Sequence, residues 1–185
     1  MKWQHLFLPA VFLIGCSGCL WPFSSVKSVP LTNATTAIRA EVLRPDLLAK
    51  DRKLVFIPFA AGVNAEAGPQ LDHLALMMVK GASDMLKNNP SSIQMIDQGE
   101  PDTADMVLDG HIEDFHSRGG WTAMGIGKKA GVLLIKGEVQ DRRTNDVLVL
   151  ISGRKEFREA KEAEAVAYNI GQEIAEQLIQ QESQQ

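Results

Sequence analysis

The rhythm of apolar and polar positions changes several times along this chain, and each rhythm predicts an element. Leu54-Val55-Phe56-Ile57 is a continuous apolar run closed by Pro58. It reads as a buried strand, ended by a residue that cannot donate a ladder hydrogen bond. The small residues of AAGVNAEAGP then predict a loop. From Pro69 to Asn88, Leu71, Leu74, Ala75, Met78, Ala82, Met85 and Leu86 recur at steps of three and four. That spacing predicts a helix with one apolar face, with Pro69 suited to its first turn. Leu76, Met77 and Val79 widen the face, as a second core contact or as a surface for a partner. Asn88-Asn89-Pro90 stops the helix.

The second half reads mostly as strands. Ser92 to Ile96 predicts a short one, and Glu100-Pro101-Asp102 a turn. Ala104 to Ile112 starts a longer strand, with Met106, Leu108 and Ile112 on one face and Asp109, His111 and Glu113 on the other. One side is then buried and one solvated. SRGGWTAMGIGKKAG, residues 117–131, carries five glycines. Val132–Val139 and Val147–Phe157 flank the turn DRRTND and predict a β-hairpin. From Glu159 to about Gln181, Ala163, Val166, Ala167, Ile170, Ile174 and Leu178 form the apolar stripe of a second helix. The predicted order is β-α-β-β-β-β-α. The economical fold class is α/β (α+β): a two-layer sandwich of one mixed sheet with two helices on one face.

The N-terminus has a different character. Leu6 to Gly15 is an apolar run of signal-peptide length, too short to span a bilayer, which needs roughly 20 apolar residues. It ends Leu13-Ile14-Gly15-Cys16, which resembles the bacterial lipobox. That resemblance implies cleavage before Cys16, a diacylglycerol on its sulfur and an acyl chain, such as palmitate, on the new amine. Several chains together anchor firmly where one would be marginal. Cys19 is the alternative lipidated residue, with Cys16 in place of Leu13 as the poorer apolar position. A redox or zinc reading of Cys16 and Cys19 lacks a second pair and a βαβ context. Ser17, rather than aspartate, follows Cys16, which in such lipoproteins implies the outer membrane. The expected organisation is a signal peptide at 1–15, a lipid-anchored tether at 16–50, in which residues 37–50 make a short helix or an extended arm before the domain, and an α/β domain facing the periplasm at 51–182.

Charge narrows the partners. The chain has 19 basic and 23 acidic residues, and removing residues 1–15 takes one basic residue and no acidic one. The net charge moves from −4 to −5, which gives no electrostatic reason to bind nucleic acid or anionic lipid. No cofactor is expected beyond the covalent lipid.

Candidate chemistry is sparse. GGWTAMGIGKK fails the phosphate-loop pattern twice, at Thr122 and at Lys129 after Lys128. The same segment offers Trp121, with Met124 and Ile126, as an apolar anchor for a partner. His111, Glu113, Asp114 and His116 are metal-ligand types close in sequence. On a regular strand His111 and Glu113 share one face and Asp114 and His116 the other, so they converge only if the strand ends or bulges near Asp114. No metal site is therefore expected. With no G-x-S-x-G and no base near Ser152, no enzyme activity is expected either.

Taken together, the lipobox, the strand ending in IPF, ADMVLDGHIEDF, the glycine-rich stretch and the hairpin VQDRRTNDVL resemble a family of bacterial lipoproteins whose domain has no assigned function. In that family a strand leads to D-x-x-T-G. Here Asp141, Thr144 and Asn145 occupy those places, with asparagine as the next best residue at positive φ. The order of elements is also loosely similar to the N-terminal domain of TolB, the curli-export lipoprotein CsgG and the penicillin-binding-protein activator LpoB. These resemblances imply a non-catalytic envelope lipoprotein that contacts another envelope protein or its own copies. The alternative is a lipoprotein that binds a small molecule or a glycan.

Overall fold

The computed structural model describes residues 37–48, 51–89, 91–96, 103–116 and 131–182. Among the described residues seven strands form one mixed sheet: β1 Ile38–Val42, β2 Arg52–Phe56, β3 Ala60–Asn64, β4 Ile93–Met95, β5 Met106–His116, β6 Gly131–Asp141 and β7 Val147–Phe157. The order across the sheet is β1-β7-β6-β5-β2-β4, with β3 also against β5. The pairs β5–β6, β6–β7 and β7–β1 are antiparallel, whereas β2 runs parallel to β4 and β5, and β3 runs parallel to β5. Helices α1 Pro45–Leu48, α2 Pro69–Asn88 and α3 Ala163–Glu182 complete the fold, with a 3₁₀ turn at Ala160–Glu162 before α3.

The α/β class, the mixed sheet and the two long helices are as expected. Helix α2 spans the predicted residues, with Pro69 in its first turn. At its end the Asn89 side chain donates to the Met85 carbonyl at 2.8 Å, satisfying one of the acceptors a helix terminus leaves open. A reciprocal pair of Glu159 and Glu162 caps the entry to α3. Leu71, Leu74, Ala75, Met78 and Ala82 of α2 and Ala167, Ile170, Ile174 and Leu178 of α3 bury into one core with the sheet. The two helices approach closely. A Cβ on Gly81 would strike the Tyr168 carbonyl, and one on Gly171 would strike the Met78 carbonyl. Tyr168 also donates to Asp84 at 2.9 Å across this contact.

Two segments differ from the sequence reading. Residues 38–48, assigned to the tether, belong to the sheet: β1 pairs with β7 from Ile38↔Gly153 to Val42↔Val149, and Leu48 of α1 is buried. The boundary at residue 51 therefore falls inside the fold. Ala60–Asn64, assigned to a loop, is strand β3. Pro58 does end β2, but the chain resumes alongside the far half of β5, pairing Ala60 with His111 and Ala61 with Ile112. Its small residues permit this approach. A Cβ on Gly62 would lie 2.7 Å from Glu113 Cα.

Candidate functional site

Sequence reasoning singled out four places, and they fare differently. The lipidation candidates Cys16 and Cys19, and the partner-binding candidates Trp121, Met124 and Ile126, lie outside the described residues. Two places remain: the cluster on β5 and the D-x-x-T turn.

Of the β5 cluster, His111 lies with Lys136 on the face of the sheet opposite the helices, and the side chain of His116 falls outside the described residues. A bulge at Glu113, between Ile112 and Asp114, shifts the register against β6. Asp114 then pairs with Leu134, and Phe115 returns to the core side, where its ring stacks on Phe157 with centroids 6.1 Å apart. This overturns the alternation expected for a regular strand, because the extra residue brings Asp114 to the face of His111. Even so, among the described residues no three His, Cys, Asp or Glu side chains are arranged to hold a metal ion. Lys136 stands opposite His111 on β6 and lies 3.9 Å from Glu113. Burial raises the pKa of Asp109 above the ordinary carboxylate value, opposed by the charge of His111.

The hairpin turn is the most closely organised polar site. Asp141 is the one polar or charged residue buried among those described, at 3% exposure. Its Oδ1 accepts from the Arg143 and Thr144 amides at 2.8 and 2.9 Å, and from Thr144 Oγ1 at 3.3 Å. Its Oδ2 meets Arg52 Nη2 at 2.5 Å. Arg52 also donates to the carbonyls of Leu47 at 2.9 Å and Asp105 at 3.3 Å. One guanidinium thus ties α1, the entry to β5 and the β6–β7 turn to the start of β2. Burial would raise the Asp141 pKa, but hydrogen bonds from Arg52 and from the two amides, with the Arg52 charge, outweigh it and hold the value at about 2. Asn145 has φ 60°, the only positive φ outside glycine among the described residues, as its place in the motif predicts. The turn is an anchor with every Asp141 oxygen engaged.

The surplus apolar residues of α2 divide. Met77 and Val79 pack partly against the core, and Leu76 is 52% exposed. Val63 on β3 is 92% exposed. Sequence reasoning missed β3 as an element and so missed this residue. No helix among the described residues is long and apolar enough to cross a membrane.

No protein-family model and no curated protein sequence matches this chain. Solved structures do. PelC from Paraburkholderia phytofirmans, crystallised as a dodecamer, matches with a TM-score of 0.54 at 14% identity, over 77% of this chain and 96% of that one. A dodecamer of a PelC point variant in another space group matches with a TM-score of 0.51 at 16% identity, over the same shares. A Xanthomonas campestris protein of the DUF330 family gives 0.40 at 13% identity, over 72% of this chain and 89% of that one. At such identities the likeness to PelC is one of fold.

Proposed function

We propose that this chain is a lipoprotein of the bacterial outer membrane, anchored by lipid on Cys16 and acting without catalysis through protein–protein contacts, including contacts with its own copies. The observation that carries the reading is the apolar run ending in Leu13-Ile14-Gly15-Cys16 ahead of a folded domain. Self-association is supported by the fold likeness to a protein that crystallises as a dodecamer. Contacts with other envelope proteins fall to the glycine-rich segment with Trp121, Met124 and Ile126. Because β1 begins at Ile38, the stretch between lipid and sheet is shorter than the sequence suggested. Fully extended, about 20 residues reach at most about 70 Å.

The test is metabolic labelling with palmitate and separation of inner and outer membranes, for the wild type and Cys16→Ala, followed by crosslinking in cells. The wild type is expected to carry label, to fractionate with the outer membrane, and to crosslink to its own copies or to a defined envelope protein. Cys16→Ala is expected to lose the label and the fraction. A variant that keeps both overturns the assignment of Cys16 and moves it to Cys19.

A further inference from the structure

We infer that the open face of the sheet is a self-complementary surface on which a second copy of this chain docks, two charged rows of one copy facing the same two rows of the other. The inference rests on the self-association proposed above and names the surface that carries it.

The register sets the rows. Asp109 pairs with Glu138, Glu138 with Leu150, and Leu150 with Glu41, so one row crosses β5, β6, β7 and β1. Its ionisable members are all acidic. The next row is His111, Lys136, Ser152 and Arg39, joined by the same pairings. Its ionisable members are all basic or, for His111, basic when protonated. All these residues are exposed or half-buried. Alternate residues on the same strands, Leu108, Ile112, Ile135, Val139, Val149 and Ile151, point into the core, which places the rows on the face away from the helices.

Like charges placed side by side across strands cost stability, so the core gains nothing from this arrangement. A partner can gain from it. Consider a two-fold axis lying between the two faces, parallel to the rows and midway between them. It sets the acidic row of each copy over the basic row of the other: Glu138 over Lys136, Asp109 over His111, Glu41 over Arg39. This is the isologous geometry of a two-fold interface. A partner surface of a single sign, including an anionic membrane, is repelled by one of the two rows. Leu150 and Leu134, half-buried beside the charges, supply apolar contact. At strand spacings of about 4.8 Å and about 3.4 Å per residue, four strands offer a footprint of about 600 Å². That approaches the roughly 800 Å² per partner of a stable interface.

The test uses the full chain in mild detergent, with mass measured by light scattering and folding checked by circular dichroism. Lys136→Glu and Glu138→Lys each place like charges over each other twice per dimer. Each variant alone is expected to self-associate at least about tenfold more weakly than the wild type. A mixture of the two variants is expected to pair with each other, because their reversed rows are complementary. A chain carrying both changes is expected to regain assembly. If folded single variants assemble like the wild type, this surface is not the interface, while self-association itself stands. If they dissociate and the mixture does not pair, charge complementarity is overturned. A monomeric wild type at micromolar concentration overturns both the inference and the self-association it rests on.

Discussion

On β6, Leu133, Ile135 and Val139 have no exposed surface, whereas the Lys136 side chain beside Ile135 is 46% exposed. The two faces of one sheet are built from alternate residues of the same strands, yet they answer to different constraints. The covered face is set by packing: Leu108, Val139 and Val149 share a row beneath the helices, as do Ile112 and Ile135. Among the described residues no helix packs on the open face. Its sorting of charge into an acidic and a basic row needs another explanation. Mixed signs across neighbouring strands would let opposite charges support each other.

The sharpest way to break this comparison is to truncate neighbours. Ile135→Ala removes apolar volume from a site with no exposed surface and is expected to cost about 3 kcal/mol in urea unfolding. Lys136→Ala, one residue on, is expected to stay within about 0.5 kcal/mol, since the Lys136–Glu113 contact is long and open to solvent. Equal losses at the two positions would mean that the open face contributes to the stability of the monomer. The charge pattern would then need no partner.

The covered face contains one exception that sharpens the contrast: the buried carboxylate of Asp141, level with Met106 on β5. Its pKa of about 2 lies below the ordinary 3.8, so the folded state favours the charged form. That stabilisation is complete above pH 3.8 and is lost as pH falls from there through about 2. At about 1.4 kcal/mol per pKa unit it amounts to roughly 2 kcal/mol. Asp141→Asn is expected to lower stability by about that much at neutral pH and to flatten the stability profile between pH 4 and 2 by the same amount. A profile that keeps its slope in the variant would assign the acid transition to the carboxylates of the open face.

How much of this was legible depended on the distance over which each feature is determined. Helix α2 was readable to its ends because period, Pro69 and Asn89-Pro90 are all local. The hairpin and the positive φ of Asn145 were readable for the same reason. Strand β3 was hidden, because Ala60-Ala61-Gly62 shows no alternation and becomes a strand only through the edge that β5 offers. β1 reads from sequence only as an arm before the domain, because five residues carry little pattern without β7 beside them. Arg52 was not singled out, since its partner Asp141 lies 89 positions away. The charged rows were visible only as pairs two residues apart, Asp109 with His111, Lys136 with Glu138, Arg39 with Glu41. Their alignment needs the register of four strands, which no single strand contains.

The smallest effect lies where the two long strands of that register are joined. Asn145 holds φ 60° while its amide donates to the Asp141 carbonyl at 2.8 Å, closing the turn that sets β6 against β7. Asn145→Ala keeps the amide but places a Cβ in the left-handed region, and is expected to cost about 1 kcal/mol. Asn145→Gly removes that strain and is expected to leave stability within about 0.5 kcal/mol. Both are read by thermal unfolding, and both bear on the open face. Pairing Val139 with Val149 and Glu138 with Leu150 depends on this turn, and a slip of one residue moves every side chain of a strand to the other face. If Asn145→Ala weakened self-association while the fold and its stability were retained, the turn would be tuning the register of the charged rows. An effect on stability alone would confine its role to the hairpin.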